Sequence, residues 1–188
     1  MVASSIRPIA LIGIKAVGKT SIGQSVASSL DVPFFDLDSL VIDRFCDHTY
    51  SSKALITTAR DVYLRTGKEG FADLEVEALQ RIRRFPRHIL STGGGISDNE
   101  RALTLLADTW FVILISGNLK DQFDRIMVKG IPPFLSPTDP WSDFTNLAQR
   151  RLARYKSIAD VVFDVSTLSQ SESSTIVRDR VKEYFDGR

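Results

Sequence analysis

The sequence predicts an α/β domain in which a five-stranded parallel sheet is flanked by helices. Three observations predict it. Short apolar runs recur at residues 8–12, 33–35, 88–91, 110–115 and 161–165. Segments of helical periodicity separate them. A glycine-rich turn, Gly13-Ile14-Lys15-Ala16-Val17-Gly18-Lys19-Thr20, joins the first run to the first helical segment. Such alternation requires crossover connections, hence parallel strands with helices over both faces.

The first run contains Ile9-Ala10-Leu11-Ile12, apolar at every position, as a strand buried on both faces must be. The turn after it matches the phosphate-binding pattern GxxxxGK[ST] without mismatch. The helix expected at 21–30 places Ile22, Val26, Ala27 and Leu30 on one face. Strand, glycine turn and helix N-terminus together make an anion cradle of inward N–H groups and helix dipole. Gly13, Ala16, Val17, Gly18, Lys19, Thr20 and Ser21 are therefore expected to hold a nucleoside triphosphate. Lys19 would reach the β/γ-phosphates and act in catalysis, and the Thr20 hydroxyl would bind Mg²⁺.

The second run ends in Phe35-Asp36-Leu37-Asp38. Extended alternation would put both carboxylates on one side, facing the phosphate loop. One would help hold Mg²⁺; the other would orient an acceptor hydroxyl and take its proton. Capping of a helix at 39–44 by Asp38 accounts for one aspartate but not the pair. Further on, Leu74, Ala78, Leu79 and Ile82 recur at helical spacing. The third run leads into Thr92-Gly93-Gly94-Gly95, where consecutive glycines offer N–H groups at close quarters to an anion or hydroxylated substrate.

Residues 129–143 break the rhythm with Gly130, Pro132, Pro133, Pro137, Pro140 and Trp141. This composition excludes a regular helix or central strand and suggests a lid hinged at Gly130. Arg150, Arg151 and Arg154 follow on a helix ending near Tyr155, as an anion-binding or a solvated face. After the fifth run, Val177, Val181, Tyr184 and Phe185 mark a last helix, capped by Ser171 or Ser173.

Net charge is +1, which offers no long-range field for nucleic acid or a membrane surface. No apolar stretch reaches bilayer-spanning length, and residues 1–7 lack the apolar core of a secretory signal. The single Cys46 excludes an internal disulfide and fits a reducing, cytoplasmic setting. The basic cluster Arg81, Arg83, Arg84 and Arg87 reads as a solvated helix end. His48 and His88 have no metal-ligand spacing with Cys46, and His88 reads as structural.

Taken together, GIKAVGKTSIG, FFDLDSLV, TGKEGFADLE, STGGGISD and RRLARYKSIADVVFDV, in this order, resemble the shikimate kinases. The resemblance spans nearly the whole chain, as one domain over 1–188 with a lid near 129–143. It implies a monomer that uses ATP and Mg²⁺ to phosphorylate the 3-hydroxyl of shikimate. By the same resemblance Asp36 stands near Mg²⁺, and Asp38 is the catalytic carboxylate that also binds substrate. Gly93, Gly94 and Gly95 contact substrate, Glu75 supports its site, Arg125 lies against adenine, and Arg151 pairs with the shikimate carboxylate. Two positions depart from the family. Ala72 stands where an arginine follows the GxEGF motif, and Pro132 stands where the lid carries another. Lys129, Arg60 or Arg65 are the candidates to replace that charge. Three functions stay open: an active kinase with a rearranged carboxylate site, a non-catalytic binding or regulatory homologue, and a kinase for another small hydroxylated acceptor.

Overall fold

All five strands of the sheet run parallel, in the order β2-β3-β1-β4-β5. The computed structural model describes residues 6–49, 56, 58–128, 130–132 and 134–187. The strands are β1 (Ile9–Ile12), β2 (Phe34–Asp36), β3 (Ile89–Ser91), β4 (Phe111–Ser116) and β5 (Val161–Asp164). Each falls within one residue of the expected apolar run at either end. The helices are α1 (Lys19–Leu30), α2 (Leu37–Thr49), α3 (Ala59–Ile82), α4 (Glu100–Thr109), α5 (Leu119–Met127), α6 (Pro140–Ile158) and α7 (Gln170–Phe185). A 3₁₀ turn, Ile96–Asp98, precedes α4.

The period of two along a strand divides the core into two layers. Ile9 and Leu11 of β1 pack with Ile113 and Ile115 of β4 against α1 and α7, which contribute Ile22, Val26, Val177 and Val181. Ala10 and Ile12 point the other way, with Val112 and Leu114, toward α2, α3, α4 and α6. Every residue of β1 is fully buried. The register Ile9↔Ile89 on one side and Ile9↔Phe111 on the other makes β1 the central strand. Its neighbours lie on opposite sides, so the chain reverses direction of build there, and the crevice opens at the carboxyl ends of the strands.

His88 is structural, as expected. Its Nε2 accepts from Trp110 Nε1 at 2.9 Å and its Nδ1 donates to Phe85 O at 3.0 Å. That pairing requires the neutral Nδ1–H tautomer. Burial pushes the His88 pKa down to about 4. Cys46 is buried and unpaired with any other cysteine. Arg81, Arg83, Arg84 and Arg87 are exposed, and Arg81 reaches Asp47 of α2 at 3.2 Å. No helix of the described residues is long and apolar enough to cross a membrane.

Three local expectations are corrected. The last helix is capped by Ser169, not Ser171 or Ser173; its hydroxyl accepts from Glu172 N while Glu172 returns a bond to Ser169 N. Asp38 does not cap a helix at 39. The chain passes directly from β2 into α2, and Asp36 accepts from Ser39 N at 3.2 Å. Residues 140–143 of the proline-rich segment are helical. Asp139 caps α6 through Ser142 N, and Pro140 sits in the first turn, where a missing N–H costs nothing.

Candidate active site

The phosphate loop is shaped by backbone angles that few side chains permit. Gly13 has φ +147°, and a Cβ there would lie 2.3 Å from Ile115 O of β4. Only glycine lets β1 turn so close under β4. Gly18 closes the loop with φ +103° as the N-cap of α1, and Ala16 takes a left-handed φ of 66°. The Lys19 side chain folds back through the loop. Its Nζ donates to Gly13 O at 2.9 Å and Ile14 O at 3.0 Å. Burial lowers the Lys19 pKa to about 8, against the opposing pull of Asp38 and Asp36.

The loop forms one wall of a cleft of about 640 Å³, the size of a small-molecule site. Ala16, Val17, Gly18, Lys19, Thr20, Ser21 and Arg125 line it, together with Asp36, Asp38, Gly93 and Gly94. Sequence reasoning did not place Leu168, Gln170 or Ser173 at the site, yet they border the same cleft, Leu168 just before α7 and the other two in its first turn. Gly13 lies beneath the loop rather than in the cleft. Arg125 Nη1 donates to Ala16 O at 3.1 Å, tying α5 to the loop.

The two aspartates reach the cleft from different elements. Asp36 ends β2 and Asp38 stands in the first turn of α2, so a strand-to-helix transition replaces the expected extended alternation. Thr20 Oγ1 donates to Asp36 Oδ2 at 3.3 Å and lies 3.2 Å from Ser91 Oγ at the end of β3. This hydroxyl–carboxylate pair beside the loop suits a hard cation that keeps most of its ligands from water and phosphate. Among the described residues no cluster of three or more His, Cys, Asp or Glu could bind a metal without such help. Asp38 is open to the cleft by surface area, yet the surrounding walls remove enough water to raise its pKa. Neighbouring Asp36 adds to that rise, and Lys19 opposes it.

The triglycine turn closes against this carboxylate. A Cβ at Gly93 would lie 2.7 Å from Asp38 Oδ1, and one at Gly94 would lie 2.7 Å from Lys15 N. Gly95 faces Arg151, whose Nη2 would be 3.3 Å from a Cβ there. Arg151 and Gly95 do not line the main cleft but adjoin it through Gly94. Arg151 Nη1 donates to Gly94 O at 3.1 Å, and Tyr155 Oη donates to the same oxygen at 3.0 Å. Asp98 takes two further bonds from Arg151, and Glu100 pairs with Arg154. Of the three arginines, Arg151 is withdrawn from solvent and held by Asp98, Arg154 pairs with Glu100 at the surface, and Arg150 stays exposed, 3.5 Å from Asp98. Asp98 was missed because only its place after the glycines marks it.

Glu75 is buried behind the cleft. Asn99 Nδ2 donates to Glu75 Oε2 at 2.9 Å and to Ala72 O at 2.9 Å. Burial, with Asp38 and Asp98 nearby, raises the Glu75 pKa to about 7 despite the Asn99 bond. Arg60 and Arg65 are exposed on α3 and are not among the cleft-lining residues. Lys129 lies outside the described residues.

The shikimate kinase family model matches residues 15–182. The chain belongs to the shikimate kinase family. A shikimate kinase of Chlamydia pneumoniae is 27% identical over 168 residues, covering 89% of this chain and 92% of that protein. One from Dictyoglomus turgidum is 27% identical over 179 residues, covering 93% and 97%. In structure, a shikimate kinase from Acinetobacter baumannii in complex with shikimate superposes with a TM-score of 0.74 at 19% identity, covering 97% of this chain and 94% of that one. The superposition shows that this chain shares the fold of that structure.

Proposed function

We propose that this shikimate kinase family member transfers the γ-phosphoryl group of ATP to the 3-hydroxyl of shikimate. One observation carries the reading: Asp38 faces the triglycine turn on one side and the Lys19 loop on the other, within a single cleft. Donor and acceptor halves therefore meet at a carboxylate. The loop N–H groups and Lys19 hold the phosphates, Arg125 lies toward the adenine end, and Arg151 with Glu75, Gly93, Gly94 and Gly95 supports the acceptor. Mg²⁺ held by Thr20 and Asp36 would neutralise phosphate charge. The acceptor oxygen attacks the γ-phosphorus as the bond to the ADP oxygen breaks, and the hydroxyl proton passes to Asp38. Its raised pKa makes it a stronger base. Lys19 and the loop stabilise the charge that shifts onto the leaving oxygens. Residues 130–139 between α5 and α6 serve as the lid, with Gly130 at φ 88° as its hinge.

The test is a coupled assay of ADP release with shikimate, run beside calorimetric titration of shikimate and MgATP. Shikimate-dependent turnover above the ATPase background is expected. Binding without turnover would instead make the chain a regulatory homologue. Ala72 and Pro132 motivate that second reading, because neither position supplies the fork of an arginine. Turnover of other hydroxylated acceptors alone would redirect the substrate.

A further inference from the structure

The cleft holds a cation that the phosphate-loop pattern does not require. Lys15 occupies a variable position of the loop, and its backbone abuts Gly94, where a Cβ would meet Lys15 N at 2.7 Å and Cα at 3.0 Å. Its Nζ lies 5.7 Å from the ring centroid of Phe134, in the segment before α6. Its charge is felt at both Asp38 and Lys19.

The other cations of the site are engaged. Lys19 is bonded to Gly13 O and Ile14 O, Arg125 to Ala16 O, and Arg151 to Asp98 and Gly94 O. Among the described residues Lys15 forms no ion pair. Arg151 is occupied by Asp98, which Arg150 also approaches at 3.5 Å, whereas Lys15 brings a cation to the cleft side of Gly94. Lys15 is exposed at the mouth of the cleft, and half-exposed Phe134 lies beside its ammonium in a cation–π contact that orients it.

We infer that Lys15 receives the carboxylate of the acceptor, beside Gly94 and together with Arg151. The inference rests on the proposed phosphorylation of a carboxylated acceptor. It gives the chain a cation at the acceptor although Ala72 and Pro132 provide none.

The experiment compares the wild-type chain with Lys15→Met and Lys15→Arg, using shikimate and its methyl ester, which lacks the anion. Lys15→Met should raise the shikimate KM and Kd by about tenfold, as expected for one charge-assisted contact. Its kcat and ATP KM should stay within about twofold, Lys15→Arg should recover most of the loss, and the ester should bind wild type and Lys15→Met alike. An unchanged shikimate Kd, an equal loss for the ester, or a loss confined to ATP overturns the role of Lys15. If wild type turns over shikimate while Lys15→Met is unaffected, only this inference fails. If wild type binds shikimate without turnover, the kinase reading fails and the calorimetric comparison still decides Lys15. If wild type does not bind shikimate, both fail.

Discussion

Arg151 of α6 is held by Asp98 through Nε at 3.2 Å and Nη2 at 2.6 Å, leaving Nη1 on Gly94 O. The carboxylate fixes the guanidinium plane against the triglycine turn and so sets its direction before any ligand arrives. Asp98→Asn keeps the volume but loses the charge-assisted pair. The shikimate KM should rise by about tenfold with little change in kcat, since an oriented ionic bond is worth about 1.5–3 kcal/mol. Steady-state kinetics with shikimate varied at saturating ATP checks this, and a fall in KM would show that Asp98 competes with the acceptor.

Asp38→Asn removes the proton acceptor while preserving its shape. Turnover should fall by about 10²–10⁴-fold. MgATP affinity by calorimetry should remain near the wild-type value. Retained turnover would move the base to another group, with Asp36, whose charge acts on Asp38, the first to test.

Lys19 gives the nucleotide half a pH dependence. Its pKa in the free protein is about 8, below the ordinary lysine value of 10.5, because burial disfavours the ammonium. Above pH 8 the free protein loses this charge, whereas bound phosphates favour it. ATP affinity should therefore fall toward tenfold per pH unit above about 8, and binding should take up a proton. Calorimetry in buffers of differing ionisation enthalpy reads that proton directly. A pH-independent affinity up to 9.5 would refute the coupling.

Glu75 and His88 impose opposite slopes on stability. The folded Glu75 pKa of about 7 exceeds its ordinary 4.5, so its contribution is complete below 4.5 and is lost as pH rises through 7. The folded His88 pKa of about 4 lies below 6.5, so its contribution is complete above 6.5 and is lost as pH falls through 4. Glu75→Gln keeps an acceptor for Asn99 and removes the alkaline loss. Relative to wild type, this variant should gain on the order of 3 kcal/mol between pH 5 and 8, and should still weaken on the acid side through His88. Urea unfolding at both pH values measures the difference.

The sheet was legible because each strand is a short apolar run and β1 is buried on both faces, where alternation gives way to continuous hydrophobicity. The phosphate loop was legible because its chemistry requires glycines at fixed offsets. Caps were less so. Ser169 precedes two other serines that fit equally well by type, and the choice fell to whichever had Glu172 three residues later. Residues 140–143 escaped because Pro140 reads as a breaker until Asp139 is seen as the cap before it. Asp98 and Lys15 lay in quoted motifs, but their roles depend on Arg151 and Gly94, which chain order places far away. Sequence spacing does not report a contact across 53 residues.

Gly94 touches the backbone of Lys15 with no room for a methyl group between them. The turn after β3 and the loop after β1 thus behave as two jaws of one vice whose gap is set by a single hydrogen atom. Any side chain at 94 would have to push the two turns apart. The spacing between donor and acceptor becomes a property of the backbone, and residue 94 is its gauge.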